Sequence, residues 1–173
     1  MRIKDNIYLV PVAGPQAFTE GQIAQMVDCL NTASHMRYSE QRHKKHTPWG
    51  QKIYIDATVG ARNTFWGIWN AIDDALIGTA TASFTHARWA ADVGLLIFPP
   101  YTGQSIGLIA LEKAFVALQG LGIKKVEAGC MHCNDGMMRI CEKSGMVVEG
   151  WRMNHFQLED GSLAHMVLWG KML

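Results

Sequence analysis

The sequence predicts an α/β chain built on a mixed, largely antiparallel sheet of about seven strands with helices on both faces. Three observations carry that expectation. Residues 63–69 and 75–84 are apolar runs joined by a short polar turn around Asp73-Asp74, which permits a meander but no crossover, so these strands pair antiparallel. Residues 91–98 form a further apolar run, separated by a long helical pattern from the next one at Ile123, and this strand–helix–strand order makes the sheet mixed. Asp160-Gly161, between the runs at 146–158 and 163–169, is a hairpin signal.

In chain order, Ile7-Tyr8-Leu9-Val10-Pro11-Val12 reads as a short strand whose proline, with no N–H to give, points to an edge position or an early end. Thr19-Glu20-Gly21-Gln22 has the spacing of a capping box, and Ile23, Met26, Val27 and Leu30 follow at helical intervals, so a helix is predicted over 20–31. Residues 36–46 are polar and irregular. Thr47 caps a second helix with Pro48 at its first position, where a missing N–H costs no hydrogen bond. Residues 86–89 read as loop. In the long helix Leu108, Leu111, Phe115 and Leu118 are large, while Gly107, Ala110, Ala114 and Ala117 form a small-residue stripe that allows close packing on a sheet. Asn134 opens a short helix that ends at Lys143-Ser144-Gly145-Met146.

With 173 residues, 49% of them hydrophobic, the chain matches one domain spanning 1–173 with a sizeable core. A net charge of +1 and the lack of a long charged block argue against a dedicated nucleic-acid or membrane surface. The run Arg42-His43-Lys44-Lys45-His46 reads as a solvated face. Met1-Arg2-Ile3-Lys4-Asp5-Asn6 lacks the apolar core of a signal peptide, and no run has the length of a membrane span, so a cytoplasmic location is expected. Cys29, Cys130, Cys133 and Cys141 are too few and too unevenly spaced for a disulfide framework. Cys130-Met131-His132-Cys133 invites a metal or redox reading, yet no second Cys or His pair stands at a supporting distance.

Thr102-Gly103-Gln104-Ser105-Ile106-Gly107 sits between Pro99-Pro100 and the long helix. A helix N-terminus inside a glycine-bearing loop leaves converging backbone N–H groups with the positive end of the dipole behind them, a cradle suited to phosphate. The same letters also suit a tight turn with a packing glycine. The order from about residue 92 onward resembles the GNAT acetyltransferase family. There a pyrophosphate loop of the form Arg/Gln-x-x-Gly-x-Gly/Ala precedes a long helix, and Asn-x-x-Ala/Ser-x-x-Leu-Tyr-Glu-Lys-x-Gly-Phe follows the next strand. The second motif corresponds here to Asn134-Asp135-Gly136-Met137-Met138-Arg139-Ile140-Cys141-Glu142-Lys143-Ser144-Gly145-Met146. Thr102 replaces the usual Arg or Gln, Ser105 the first Gly, and Cys141 the Tyr.

The resemblance implies acetyl-CoA as co-substrate, no metal, and an acyl-CoA N-acyltransferase-like fold in which a bulged strand ending at Phe98 splays from the strand of residues 126–130. It implies cofactor contacts from Thr102, Gly103, Gln104, Ser105, Ile106, Gly107 and Asn134, with Leu96, Ile97 and Phe98 holding the pantetheine arm through main chain. The implied reaction is direct acetyl transfer to the amine of a small molecule, with an amino sugar as one acceptor. The alternatives are a non-catalytic acyl-CoA-binding member of the fold and a protein N-terminal acetyltransferase; homodimer formation is left open. Such transfer needs a proton route. Asp92 and Glu127, on adjacent strands, are candidate bases acting through water, and either is equally readable as a charge at a strand end. His132 is a candidate shuttle because imidazole titrates near neutral pH, with His46 and His155 weaker candidates for the acceptor pocket. Cys141 stands where a Tyr would protonate the leaving thiolate, but a buried thiol is more often packing. Arg37, Gln41 and Arg42 are candidate acceptor ligands for a phosphate or sugar hydroxyls.

Overall fold

The computed structural model describes residues 6–60, 63–84 and 89–173. Among the described residues seven strands form one sheet: β1 (Ile7–Pro11), β2 (Asn63–Asn70), β3 (Ala75–Phe84), β4 (Ala90–Ile97), β5 (Lys125–Met131), β6 (Val147–Gln157) and β7 (Leu163–Met172). Their order is β1-β2-β3-β4-β5-β7-β6. Only β4 and β5 run parallel, as the intervening helix requires, and all other neighbours are antiparallel. β1, with its proline, lies at an edge. Of the loop expected at 86–89, residues 86–88 lie outside the described residues.

Local chemistry sets the helices. In α1 (Glu20–Asn31), Thr19 Oγ1 accepts from the Gln22 N–H at 3.2 Å while the Thr19 N–H donates to Gln22 Oε1 at 2.8 Å, completing the expected capping box. The irregular tract at 36–46 contains a single-turn α2 (Ala33–Met36) and a 3₁₀ turn over Glu40–His43. Thr47 accepts from the Gly50 N–H and starts α3 (Pro48–Thr58). The long helix α4 (Ile106–Gly120) buries both of its predicted stripes over most of their length, and Asn134 caps α5 (Asp135–Lys143) by accepting from the Met137 N–H at 3.1 Å. At the β6–β7 hairpin Gly161 adopts φ +83°, and Asp160 accepts from the Ser162 N–H.

Two cores follow from strand alternation. Ala91 and Val93 of β4 and Val126, Ala128 and Cys130 of β5 pack with Leu111, Phe115 and Leu118 of α4 on one face. On the other, Phe65, Leu76 and Phe98 pack with Ile23 and Met26 of α1 and Ile55 of α3. Among the described residues no helix is long and apolar enough to cross a membrane.

β4 and β5 pair only at Ala90–Lys125, Ala91–Val126 and Asp92–Glu127, then part company. The splay is as expected, but its cause differs. β4 keeps an unbroken register with β3 from Phe84–Ala91 to Gly78–Ile97, so it carries no bulge, and the opening arises because the β4–β5 ladder ends while β5 stays paired to β7 as far as Met131.

Candidate active site

The fork between β4 and β5 opens into a cleft of about 800 Å³ that runs from Asp92 along β4 to the loop at 102–107 and is bordered by Gly129, Met131, Asn134 and Arg139. Its far end is built by backbone. Among the described residues the N–H groups of Gly103 to Leu108 have no protein acceptor, while the Thr102 N–H is taken by Pro99 and the Ile109 N–H by Ser105. Six unpaired donors at the start of a 15-residue helix suit the two phosphates of a coenzyme A pyrophosphate. The residues present therefore fit that group.

The glycine pattern has a physical reading. Ser105, standing where the family keeps glycine, is held at φ +63°, the left-handed region that an L-residue enters at ~1–2 kcal/mol. Ser105→Gly is expected to raise the melting temperature by a few degrees without weakening acetyl-CoA binding; a lowered melting temperature would contradict strain at this position. Gly107 has a different duty from close approach to a ligand. A Cβ there would lie 2.8 Å from Ile140 Cδ1, so it brings α4 against α5, while exposed Gly103 at φ +76° has nothing within 4 Å.

Several expected contacts are redistributed. The Phe98 N–H donates to Ile77, and the alternation of the ladder likewise commits Leu96 to β3. Leu95 and Ile97 are thus the residues whose main-chain groups face the fork. The Gln104 side chain turns back to donate to the Pro100 carbonyl at 3.0 Å, and the Thr102 hydroxyl donates to Pro99 at 2.9 Å. No cation therefore comes from the loop itself, but exposed Arg139 of α5 borders the cleft. Arg139 occupies an unspecified position of the family motif, so no motif letter marks it in the sequence.

Asp92 and Glu127 share a face of the sheet at the last rung before the fork, and their environments differ. Lys125 Nζ donates to Glu127 at 2.9 Å and to Glu149 at 2.7 Å, raising its own pKa chiefly through Glu149 and tying Glu127 into a bridge. Asp92 lines the cleft and has no ion-pair partner among the described residues. It still meets cleft solvent, but the crowded protein around it pushes its pKa up to about 6, with the Glu127 charge adding to the rise. A carboxylate titrating near neutrality can hold and release a proton under working conditions.

His132 lies elsewhere. Its Nδ1 accepts from the His165 N–H at 3.0 Å, the two rings stack 4.8 Å apart, and it is absent from the cleft lining. His155 packs on Phe156. Cys141 is 0% exposed; its hydrogen bond to Cys130, then burial, raise its pKa and keep it a neutral thiol. The same bond lowers Cys130, whose thiol donates to Met138 Sδ at 3.6 Å. Cys141→Ala should lower stability by ~1 kcal/mol or more through lost packing with turnover of the folded protein nearly intact. A large loss of turnover at unchanged melting temperature would give Cys141 the acid role instead. Among the described residues no group of three or more His, Cys, Asp or Glu is arranged to hold a metal.

A second cavity, about 440 Å³, shares Gly94, Leu95 and Leu96 with the first and extends toward α3. Gln41 lines both. Neither Arg37 nor Arg42 lines either one: Arg37 covers the Tyr38 ring at 4.4 Å, and Arg42 donates to the carbonyls of Ser39 and Gln157, bracing the tract against the end of β6.

A family model described as acetyltransferase (GNAT) domain matches residues 16–147. The probable N-acetyltransferase YjcK of Bacillus subtilis (strain 168) is 29% identical over 133 residues, 75% of this chain and 70% of that protein. The spermidine N-acetyltransferase of Vibrio cholerae, solved with CoA and spermine, superposes with a TM-score of 0.82 at 14% identity over 97% of this chain and 96% of that one. RimL, a ribosomal L7/L12 α-N-protein acetyltransferase solved with CoA, gives 0.83 at 10% identity over 99% and 97%. At such identities these two likenesses concern the fold.

Proposed function

We propose an acceptor route and a proton route for this chain from one premise: it belongs to the GNAT acetyltransferase family, whose domain it matches over residues 16–147. It is an acetyl-CoA-dependent N-acetyltransferase. In the proposed arrangement the N–H groups from Gly103 to Leu108 hold the pyrophosphate, with Arg139 adding charge, and the main chain of Leu95 and Ile97 holds the pantetheine arm in the fork. Bound acetyl-CoA supplies the activated acetyl group. The acceptor is a small-molecule amine, amino sugars included, that enters through the second cavity and meets the acetyl group beside Gly94 to Leu96. Asp92 takes the proton of the acceptor ammonium, directly or through a water, so that the neutral amine can attack.

The observation that carries this reading is the meeting of two cavities at one strand segment. β4 contributes Gly94, Leu95 and Leu96 to both, at the level where its ladder with β5 has already ended. A donor and an acceptor approaching from different cavities converge there without a protein-bound acetyl group. Incubation with acetyl-CoA and a library of amines, followed by thiol assay and mass spectrometry, should give equal amounts of free coenzyme A and acetylated amine. Thiol release with no acetylated amine would overturn direct transfer.

A further inference from the structure

The charge around the second cavity selects among amines. Lys44, Lys45 and His46 line it, and among the described residues no Asp or Glu does. The carboxylates of the site, Glu40 and Asp92, line the first cavity. The loop that carries the lysines is fixed at both ends rather than free to swing. The Lys44 N–H donates to the Gln41 carbonyl at 3.0 Å, and Asn31 clasps His46 through its N–H at 2.9 Å and its carbonyl at 3.0 Å. Thr47, next in line, is committed to capping α3.

Inside, the walls are apolar, with Leu30, Met36, Phe65 and Leu95, and the polar groups are neutral. Thr79 and Gln51 are each only 6% exposed. The Thr79 hydroxyl has no hydrogen-bond partner among the described residues, and Gln51 spends its Nε2 on a 3.9 Å contact with Met26 Sδ, leaving its Oε1 as an open acceptor. Buried polar groups are rarely left unpaired, so this pair and neighbouring Thr81 suit the hydroxyls or N–H groups of a ligand.

We infer that the acceptor amine carries an anionic group, a phosphate or a carboxylate, bound by Lys44 and Lys45 at the cavity while the amine reaches Gly94 to Leu96. This rests on the acetyl-transfer reading above and narrows its acceptor. A polyamine is the wrong partner, because its second ammonium would face two lysines with no carboxylate among the described lining residues to offset them. About 440 Å³ matches an acceptor of metabolite size. Lys44 and Lys45 are exposed, as a solvated face requires, and they also line the cavity whose other wall includes Thr79 and Thr81 of β3 and Gly94 to Leu96 of β4.

Matched amines test the inference: a hexosamine 6-phosphate against the free hexosamine, an α-amino acid against its primary amide, and spermidine alone. The anionic member of at least one pair should show kcat/KM at least about tenfold above its neutral partner and above spermidine, as charge-assisted hydrogen bonds allow. The pair that shows it identifies phosphate or carboxylate as the group recognised. Lys44→Gln/Lys45→Gln, at two exposed positions, should erase the difference while keeping the acetyl-CoA-induced thermal shift. Equal or better use of the neutral members or of spermidine, or a preference that survives in the double variant, overturns the inference. If no amine is acetylated, the transfer reading itself fails. Calorimetric titration of the CoA-saturated protein with the same pairs then decides separately, tighter binding of the anionic member supporting the anion site and equal binding refuting it.

Discussion

Asp92→Asn is expected to lower kcat/KM by about 10²-fold or more, the usual cost of removing a general base. The change is nearly isosteric, so fold and acetyl-CoA binding should persist. In the wild type the rate should fall as pH drops through about 6, where Asp92 takes up a proton, and this acid limb should vanish in the variant. Glu127→Gln should act differently. Glu127 is held by Lys125, so its loss spares turnover, but removing its charge lets the Asp92 pKa fall and moves the acid limb to lower pH. Stability should move opposite to activity. A carboxyl whose folded-state pKa is raised lends its stability below the unfolded value and loses it as pH rises through about 6, so Asp92→Asn should melt higher than the wild type at pH 8 and not at pH 4. Full turnover by Asp92→Asn across this range would remove it from the proton route.

Gly103→Glu should abolish the stabilisation that acetyl-CoA confers. At ligand about a hundredfold above its dissociation constant, the wild type gains ~2.7 kcal/mol, several degrees in melting temperature. Gly103 is exposed with no neighbour within 4 Å of a Cβ, so the added side chain meets no wall, although its φ of +76° costs some strain. Its carboxylate would compete for the N–H groups from Gly103 to Leu108 and repel the phosphates. This position isolates the cradle better than Gly107, where any side chain first strikes Ile140 and disturbs the contact between α4 and α5. A Gly103→Glu variant that is folded and still shifted by acetyl-CoA would move the pyrophosphate elsewhere.

Local signals were legible in the sequence wherever they have local causes. The Thr19 capping box, Thr47 with Pro48, the Asn134 cap and the Asp160-Gly161 turn each depend on residues within a few positions of one another, and each folds as read. The start of the long helix after the loop at 102–105 was legible for the same reason, since the end of a helix exposes its own N–H groups. What could not be read depends on apposition. Of the expected Leu96, Ile97 and Phe98, only Ile97 turns its main-chain groups to the fork, joined by Leu95, through the parity of the β3–β4 ladder, which no letter of either strand records. Arg42 looked like an acceptor ligand and is a brace to Gln157, 115 residues away. Lys44 and Lys45 are solvent-exposed as read, and what the letters do not record is that their loop, clasped by Asn31 at His46, borders a cavity.

Amide chemical-shift mapping during titration with coenzyme A tests the meeting of donor and acceptor at the fork most directly, because it needs no knowledge of the acceptor. The largest perturbations should fall at residues 103–108, with a second set at Leu95, Ile97 and the facing residues 129–131, and the loop at 44–47 should respond only when an acceptor is added. Perturbations confined to surfaces away from β4 and the start of α4, or none at millimolar ligand, would contradict the site.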